Sequence, residues 1–300
     1  MQPTRCAICQ TTGQATELYP ANFRFEDLTP AAFSARRSPD RLHYRLVRCQ
    51  QCGLVRSDPI APPELLERLY QASEFTYQAE VADLRHTYGR QLERISRFGA
   101  RKGALLEIGC GNGFFLEEAL AQGYLEACGV EPSRHAVAAA GPKVKDRIRN
   151  ELFRPGMFKP ATFDVICLFQ VMDHFPDPGS VLEECHRLTV SGGHVLAINH
   201  NVQALSARLL GRFSPIFDIE HTFLYSPRTM RLLFAKSGFE VLSVGPVVNR
   251  FALRYLLQLS PLPRRLKSRI VRVLQAIGAG GLRLSLPLGN LALIARKPRG

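Results

Sequence analysis

The 300-residue chain is 46% apolar and 22% charged. That is the make-up of a globular protein long enough for a sizeable core, and it excludes a disordered chain or a small disulfide-stapled fold. Its 39 basic and 26 acidic residues leave a net charge of +13, and no acidic residue follows Glu240, so nearly all of the excess lies beyond that position. No apolar run reaches the ~18 residues of a membrane-spanning helix. Residues 1–10 lack a signal-peptide core, so a cytoplasmic protein with reduced cysteines is expected.

Taken in chain order, residues 1–60 hold two Cys-x-x-Cys pairs, Cys6/Cys9 and Cys49/Cys52, and a short strand expected near His43–Arg48. Two residues between cysteines let both thiolates meet one ion from a tight turn, and four of them make the closed tetrahedral shell of structural zinc. Gly53, after Cys52, suits the turn because it tolerates positive φ. Ile60-Ala61-Pro62-Pro63 closes this zinc-binding unit. Residues 61–100 read as a helical linker or lid carrying Tyr70, Phe75 and Tyr77, aromatics that suit a lid over a ligand or packing between domains.

From Ala104 short apolar strands alternate with helices: strands at 104–108, 127–130, 163–169, 194–198, 239–244 and 291–295, helices at 114–122, 136–140, 178–188 and from Ser226-Pro227 to Gly238. Ser191-Gly192-Gly193 reads as a turn into the fourth of these strands. Such alternation predicts an α/β fold with a doubly wound, mostly parallel sheet over residues 101–300. Residues 248–289 interrupt its last two strands as a basic amphipathic insertion. Within it Leu266, Ile270, Val273, Leu274 and Ile277 share a helical face, with Arg264, Arg265, Lys267 and Arg272 mostly off it. Such a helix fits a protein surface, an anionic membrane surface or a nucleic acid.

The strand 104–108 feeds Gly109-Cys110-Gly111-Asn112-Gly113. Glycines here let backbone approach a ligand closely. The dinucleotide fingerprint would need glycine at 114, which is Phe114, and Glu107 before the first glycine is foreign to it. Glu131 ends the next strand, where a carboxylate can accept both ribose hydroxyls.

Residues 104–245 resemble class I S-adenosylmethionine-dependent methyltransferases. The resemblance runs through Glu-Ile-Gly-Cys-Gly-Asn-Gly (107–113), Gly-Val-Glu-Pro-Ser (129–133), Phe-Asp-Val-Ile (163–166), Met-Asp-His-Phe-Pro-Asp-Pro (172–178), Ser-Gly-Gly-His-Val-Leu (191–196) and Ser-Gly-Phe-Glu (237–240). The cysteine pairs resemble the zinc-binding unit of a bacterial subgroup that includes sugar C-methyltransferases. The resemblance implies a seven-stranded Rossmann-like sheet and S-adenosylmethionine as cofactor. It implies that Glu107, Gly109, Cys110, Gly111 and Gly113 shape the methionine pocket, and that Glu131, followed by Pro132, holds the ribose. Asn150 or Glu151 would lie near the adenine, and Phe169 and Gln170 would flank the cofactor. Asp173-His174 stands where many relatives have Glu-His.

The implied activity is methyl transfer to a small-molecule acceptor: a sugar, a quinone-like or lipid-linked compound, or a natural-product intermediate. Such a transfer to oxygen, nitrogen or an acidic carbon needs a proton acceptor, and a histidine near neutrality suits the task. His174, in the Asp173-His174 loop at a strand's carboxyl end, is the first choice, with His200 and His221 also at pocket rims. Two other classes remain open: a nicotinamide-dependent oxidoreductase, and a nucleic-acid-binding zinc module with a methyltransferase-like domain. The second is disfavoured, because the cysteine unit has no dense basic and aromatic surface pattern.

Overall fold

The computed structural model describes residues 1–35, 40–260, 262–276 and 281–299; Ile277 of the expected helical face lies outside them. In the N-terminal part β1 (Ala15–Tyr19), β2 (Leu46–Cys49) and β3 (Val55–Ser57) precede helices α1 (Pro63–Gln71) and α2 (Val81–Ile95). Next come β4 (Ala104–Ile108), α3 (Phe114–Ala121), β5 (Glu126–Val130), α4 (Arg134–Ala138), β6 (Ile148–Arg149), β7 (Phe163–Phe169), α5 (Pro178–Leu188) and β8 (Thr189–His200). The chain continues through α6 (Leu205–Leu210), β9 (Phe223–Leu224), α7 (Pro227–Lys236), β10 (Glu240–Pro246), β11 (Asn249–Ala252), α8 (Leu253–Leu259), α9 (Arg264–Ala276), β12 (Arg283–Leu286) and β13 (Asn290–Arg296).

Seven strands form one sheet in the order β10-β13-β8-β7-β4-β5-β6. The pairs among β8, β7, β4, β5 and β6 are parallel, and β13 runs antiparallel to both its neighbours. The mostly parallel, doubly wound α/β sheet expected from the strand–helix alternation is therefore present. Residues alternate across β4 as period two requires. Leu105 packs with Leu92, Ile95, Phe115 and Leu116 from α2 and α3, whereas Leu106 and Ile108 pack with Leu182, Leu188, Leu233 and Phe234 from α5 and α7. Glu107 thus falls on the α2/α3 side, at the carboxyl end of the sheet, where ligands bind in such folds.

Two local readings change. Ser191–Gly193 is not a turn ahead of the strand but part of β8, and the residues facing β7 jump from Thr189 to His194 across it. The insertion is not helical throughout: Asn249–Ala252 pairs antiparallel with Arg283–Leu286 as a separate two-stranded ribbon that carries α8 and α9.

The N-terminal sheet has four strands in the order β1-β2-β3-β9. Its last strand comes from residues 223–224, and the Ser57 hydroxyl donates to the His221 carbonyl at 2.7 Å. The cysteine-bearing unit is thereby fastened to the loop that carries His221.

Candidate active site and four-cysteine cluster

Beyond Ile108 the chain turns through Gly109, Gly111 and Gly113, whose φ angles are 75°, 55° and 73°. Two of these glycines are required by space as well as by backbone. A Cβ on Gly109 would meet Val171 Cγ2 at 2.9 Å, and one on Gly111 would run into the Tyr77 hydroxyl. Tyr77, with Ser73 and Glu74, comes from the segment between α1 and α2, and together with Tyr70 of α1 these residues line the cavity that the turn borders. The Ser133 hydroxyl ties that segment down by donating to the Ser73 carbonyl at 2.8 Å.

Glu107 is 2% exposed, and its Oε2 has no hydrogen-bond partner among the described residues. Burial, reinforced by the charge of Glu131, pushes its carboxyl well above the usual range. A buried acceptor without a donor suits a cationic group of a ligand, and the α-ammonium of a methionine moiety is such a group. Glu131 accepts the Gly111 N–H on Oε2 and the Ser133 N–H on Oε1, both at 2.8 Å. Burial raises its carboxyl too, and these two donors partly offset that. Glu131 and Pro132 both border the cavity.

Phe169 ends β7, Gln170 follows it, and both line the cavity. Gln170 holds φ 51°, an uncommon value for a side-chain-bearing residue, and its amide donates to the Tyr88 hydroxyl at 3.2 Å. The Tyr88 ring sits 4.3 Å from that of Phe169. Asn150 and Glu151 are placed differently from the expectation. Both are exposed and neither lines the cavity, because β6 is only two residues long and the chain then turns outward. Asn150 instead braces the Glu131 turn from outside, donating to the carbonyls of Glu131 at 2.9 Å and Pro132 at 3.1 Å.

The same cavity, about 500 Å³, extends to His174, His200 and His221. These three histidines surround Asp173, which is completely buried after β7. His200 Nδ1 lies 2.6 Å from Asp173 Oδ2, and the Asn199 amide donates to Oδ1 at 3.1 Å. A carboxylate only accepts, so Nδ1 carries the proton and Nε2 is the basic nitrogen of His200. His221 Nδ1 donates to the Ile216 carbonyl at 2.7 Å, and its Nε2 is 4.0 Å from Asp173 Oδ2. His174 Nε2 is 3.7 Å from Asp173 Oδ1, and its Nδ1 is 3.2 Å from the Tyr70 hydroxyl. Burial alone would raise the Asp173 carboxyl; the His200 hydrogen bond and the three imidazoles hold it well below the usual range instead. Burial, together with repulsion from His200, lowers His221 to about 4.

Sequence reasoning marked all four of these residues, but not Asn199, Tyr70 as the partner of His174, or the buried Asp218 and Glu220 beside His221. The string Asp218-Ile219-Glu220-His221 was the available signal: three titratable groups crowded into one loop, where the Asp218 carboxylate accepts the Glu220 N–H at 3.1 Å.

The four thiols of Cys6, Cys9, Cys49 and Cys52 converge, all within 4.8 Å of one another. Cys6 Sγ is 3.4 Å from Cys52 Sγ, and Cys9 Sγ is 4.0 Å from Cys49 Sγ. Tetrahedral zinc with bonds of ~2.3 Å sets its sulfurs about 3.8 Å apart, so the donor set fits. The second turn closes with the Gly53 N–H on the Cys49 carbonyl at 3.0 Å, Gly53 having φ 81°. Against the effect of burial, the N–H groups of Cys52 and Gln51 lower Cys49, whereas burial raises Cys9 and Cys52, so the convergence of the four sulfurs is what marks the site.

A family model described as a methyltransferase domain matches residues 79–244. The ubiquinone biosynthesis O-methyltransferase of Pseudomonas paraeruginosa is 34% identical over 125 residues, covering 38% of this chain and 53% of that protein. Its counterpart in Pseudomonas putida strain F1 is 32% identical over 149 residues, covering 46% and 61%. The matches thus span about half the length of the curated relatives. Among solved structures, the [4+2]-cyclase SpnF has a TM-score of 0.50 at 16% identity, covering 81% of this chain and 98% of that one, which speaks to the fold alone. With more than half of its length matched by that family model, the chain belongs to the methyltransferase-domain family.

Proposed function

We propose that this protein is a class I S-adenosylmethionine-dependent methyltransferase acting on a hydroxyl oxygen of a small-molecule acceptor. The observation that carries the proposal is one cavity that joins the Glu107–Glu131 cradle to the Asp173–His200 pair. When bound, the cofactor supplies a methyl group on a positively charged sulfur. Glu107 answers the cofactor's ammonium, Glu131 its ribose, and Phe169 and Gln170 flank it. Asp173 fixes the His200 tautomer, so Nε2 takes the acceptor's proton as the oxygen–methyl bond forms. His200 thereby replaces His174 as the first choice of base, because its Nδ1 is the one held by a short bond to the buried carboxylate. The relatives named as O-methyltransferases support oxygen as the acceptor atom.

In this reading Cys6, Cys9, Cys49 and Cys52 hold a structural zinc with no open position. The basic excess beyond Glu240 supports peripheral contact with an anionic membrane from the cytoplasmic side. Incubation of the protein with tritiated S-adenosylmethionine and extract of its own cells tests the activity. Label is expected in a small organic-extractable product, and His200→Ala should lower it by ~10²–10⁴ while cofactor affinity stays the same. Label on macromolecules only, or undiminished transfer by the variant, would overturn the assignment.

A further inference from the structure

Two elements that line the cavity leave apolar side chains bare on themselves or on the segment that follows them. On one side Ser206 and Leu210 of α6 line the cavity, while Leu205 and Leu209 point away at 63% and 76% exposure. Phe213 follows, 45% exposed, with the Arg212 guanidinium 4.9 Å and that of Arg41 5.6 Å from its ring centre. On the other side Tyr255, Leu256 and Leu259 of α8 line the cavity. The chain then enters α9, whose Leu266 and Val273 are 42% and 59% exposed among exposed Arg265, Arg269 and Arg272. Of the expected apolar face of α9, Ile270 and Leu274 are half-buried, whereas Leu266 and Val273 remain bare.

Bare leucine, valine and phenylalanine side by side with arginine suit one surface in particular. An anionic bilayer offers phosphates to the guanidinium groups and acyl chain to the apolar side chains at the same depth. A nucleic acid would use the charge but leave Leu205, Leu209 and Val273 in water. We infer that the cavity mouth between α6 and α8 docks on an anionic bilayer and takes its acceptor from it, as an amphiphile whose polar hydroxyl head reaches His200 while its apolar tail leaves past Leu210, Leu256 and Leu259. The inference rests on the methyl-transfer reading of the cavity.

The chain contains no tryptophan, so one introduced indole reports its own surroundings. Phe213→Trp, Val273→Trp and, at the opposite end of the sheet, the 80% exposed Leu125→Trp are titrated with vesicles of phosphatidylcholine holding 30% phosphatidylglycerol. Emission at 213 and 273 is expected to shift to the blue and to be quenched by brominated lipid, with no change at 125 and none with pure phosphatidylcholine. Reversing Arg265, Arg269 and Arg272 to Glu should weaken vesicle binding by on the order of a hundredfold. A silent indole at 213 with a responsive one at 273 would overturn delivery through this mouth, and binding of RNA without binding of vesicles would overturn the bilayer. Calorimetry with S-adenosylhomocysteine on the same variants separates the two readings: cofactor binding without vesicle response sinks this inference alone, whereas no cofactor binding sinks the methyl-transfer reading beneath it.

Discussion

Glu107→Gln keeps the shape of a side chain that is 2% exposed and removes only its capacity to give up a proton and carry a charge. Among the described residues Oε2 has no donor, and burial with the neighbouring Glu131 raises the carboxyl, so it holds its proton to higher pH than usual. An incoming ammonium must displace that proton. Cofactor binding should therefore release protons, up to one per site, wherever the pH lies below the raised value of the free protein. Affinity should fall as pH falls through that window and level off above it. In the bound state the pair is a hydrogen bond between charged groups, worth about 1.5–3 kcal/mol. Glutamine should thus weaken binding roughly 10- to 150-fold and abolish the proton release. Titration calorimetry with S-adenosylhomocysteine, repeated in buffers of different ionisation enthalpy, measures both quantities. Heats independent of buffer at every pH below the point where affinity levels off, or equal affinity for both proteins, would refute the role assigned to Glu107.

Other substitutions probe the remaining features. Cys49→Ser should lower metal content from about one zinc per chain toward none, as atomic absorption reads it, and each kcal/mol of lost stability should lower Tm by about 2–4 °C. His221 is held neutral in the fold at about 4 against its ordinary 6.5, so the unfolded chain takes up the proton first. Its stabilising contribution is complete above pH 6.5 and is lost as pH falls toward 4, about 3 kcal/mol over that window. Urea unfolding of His221→Gln should show a correspondingly flatter dependence on pH. Asp173→Asn should leave cofactor affinity intact, lower turnover by ~10²–10⁴ and displace the pH–rate profile, a signature that a purely structural defect would not produce.

The parts of this molecule that were legible in sequence are those set by short-range pattern. The strand 104–108, its glycine turn and Glu131 follow from period two, positive φ and the strand-end rule, and the sheet from strand–helix alternation. The Cys-x-x-Cys spacing marks the cluster because each tight turn presents two thiols to one ion. What escaped depends on distant pairing. Phe223–Leu224 is too short to have a period, and it becomes a strand only because Val55 and Arg56 lie beside it. Asn249–Ala252 finds its partner at Arg283–Leu286 across an intervening pair of helices, a pairing that no local pattern in four residues can show. His174 drew attention through its local motif, while the bond between His200 and Asp173 joins positions 27 apart that only the sheet brings together.

The β3–β9 pairing makes the N-terminal sixty residues inseparable from the rest. Val55 and Arg56 are the strand partners of Leu224 and Phe223, and the Asp173 carbonyl accepts the N–H groups of Thr222 at 2.7 Å and Phe223 at 3.2 Å. One short stretch of backbone therefore bears the cysteine unit on one edge and the carboxylate that aims His200 on the other. A chain begun at residue 61 would strip Phe223, Leu224 and Tyr225 of their cover, each at most 1% exposed in the intact protein. Swapping this unit between relatives to alter specificity would have to carry residues 218–225 along with it. The boundary of exchange lies in space along a strand edge rather than at any single point of the sequence.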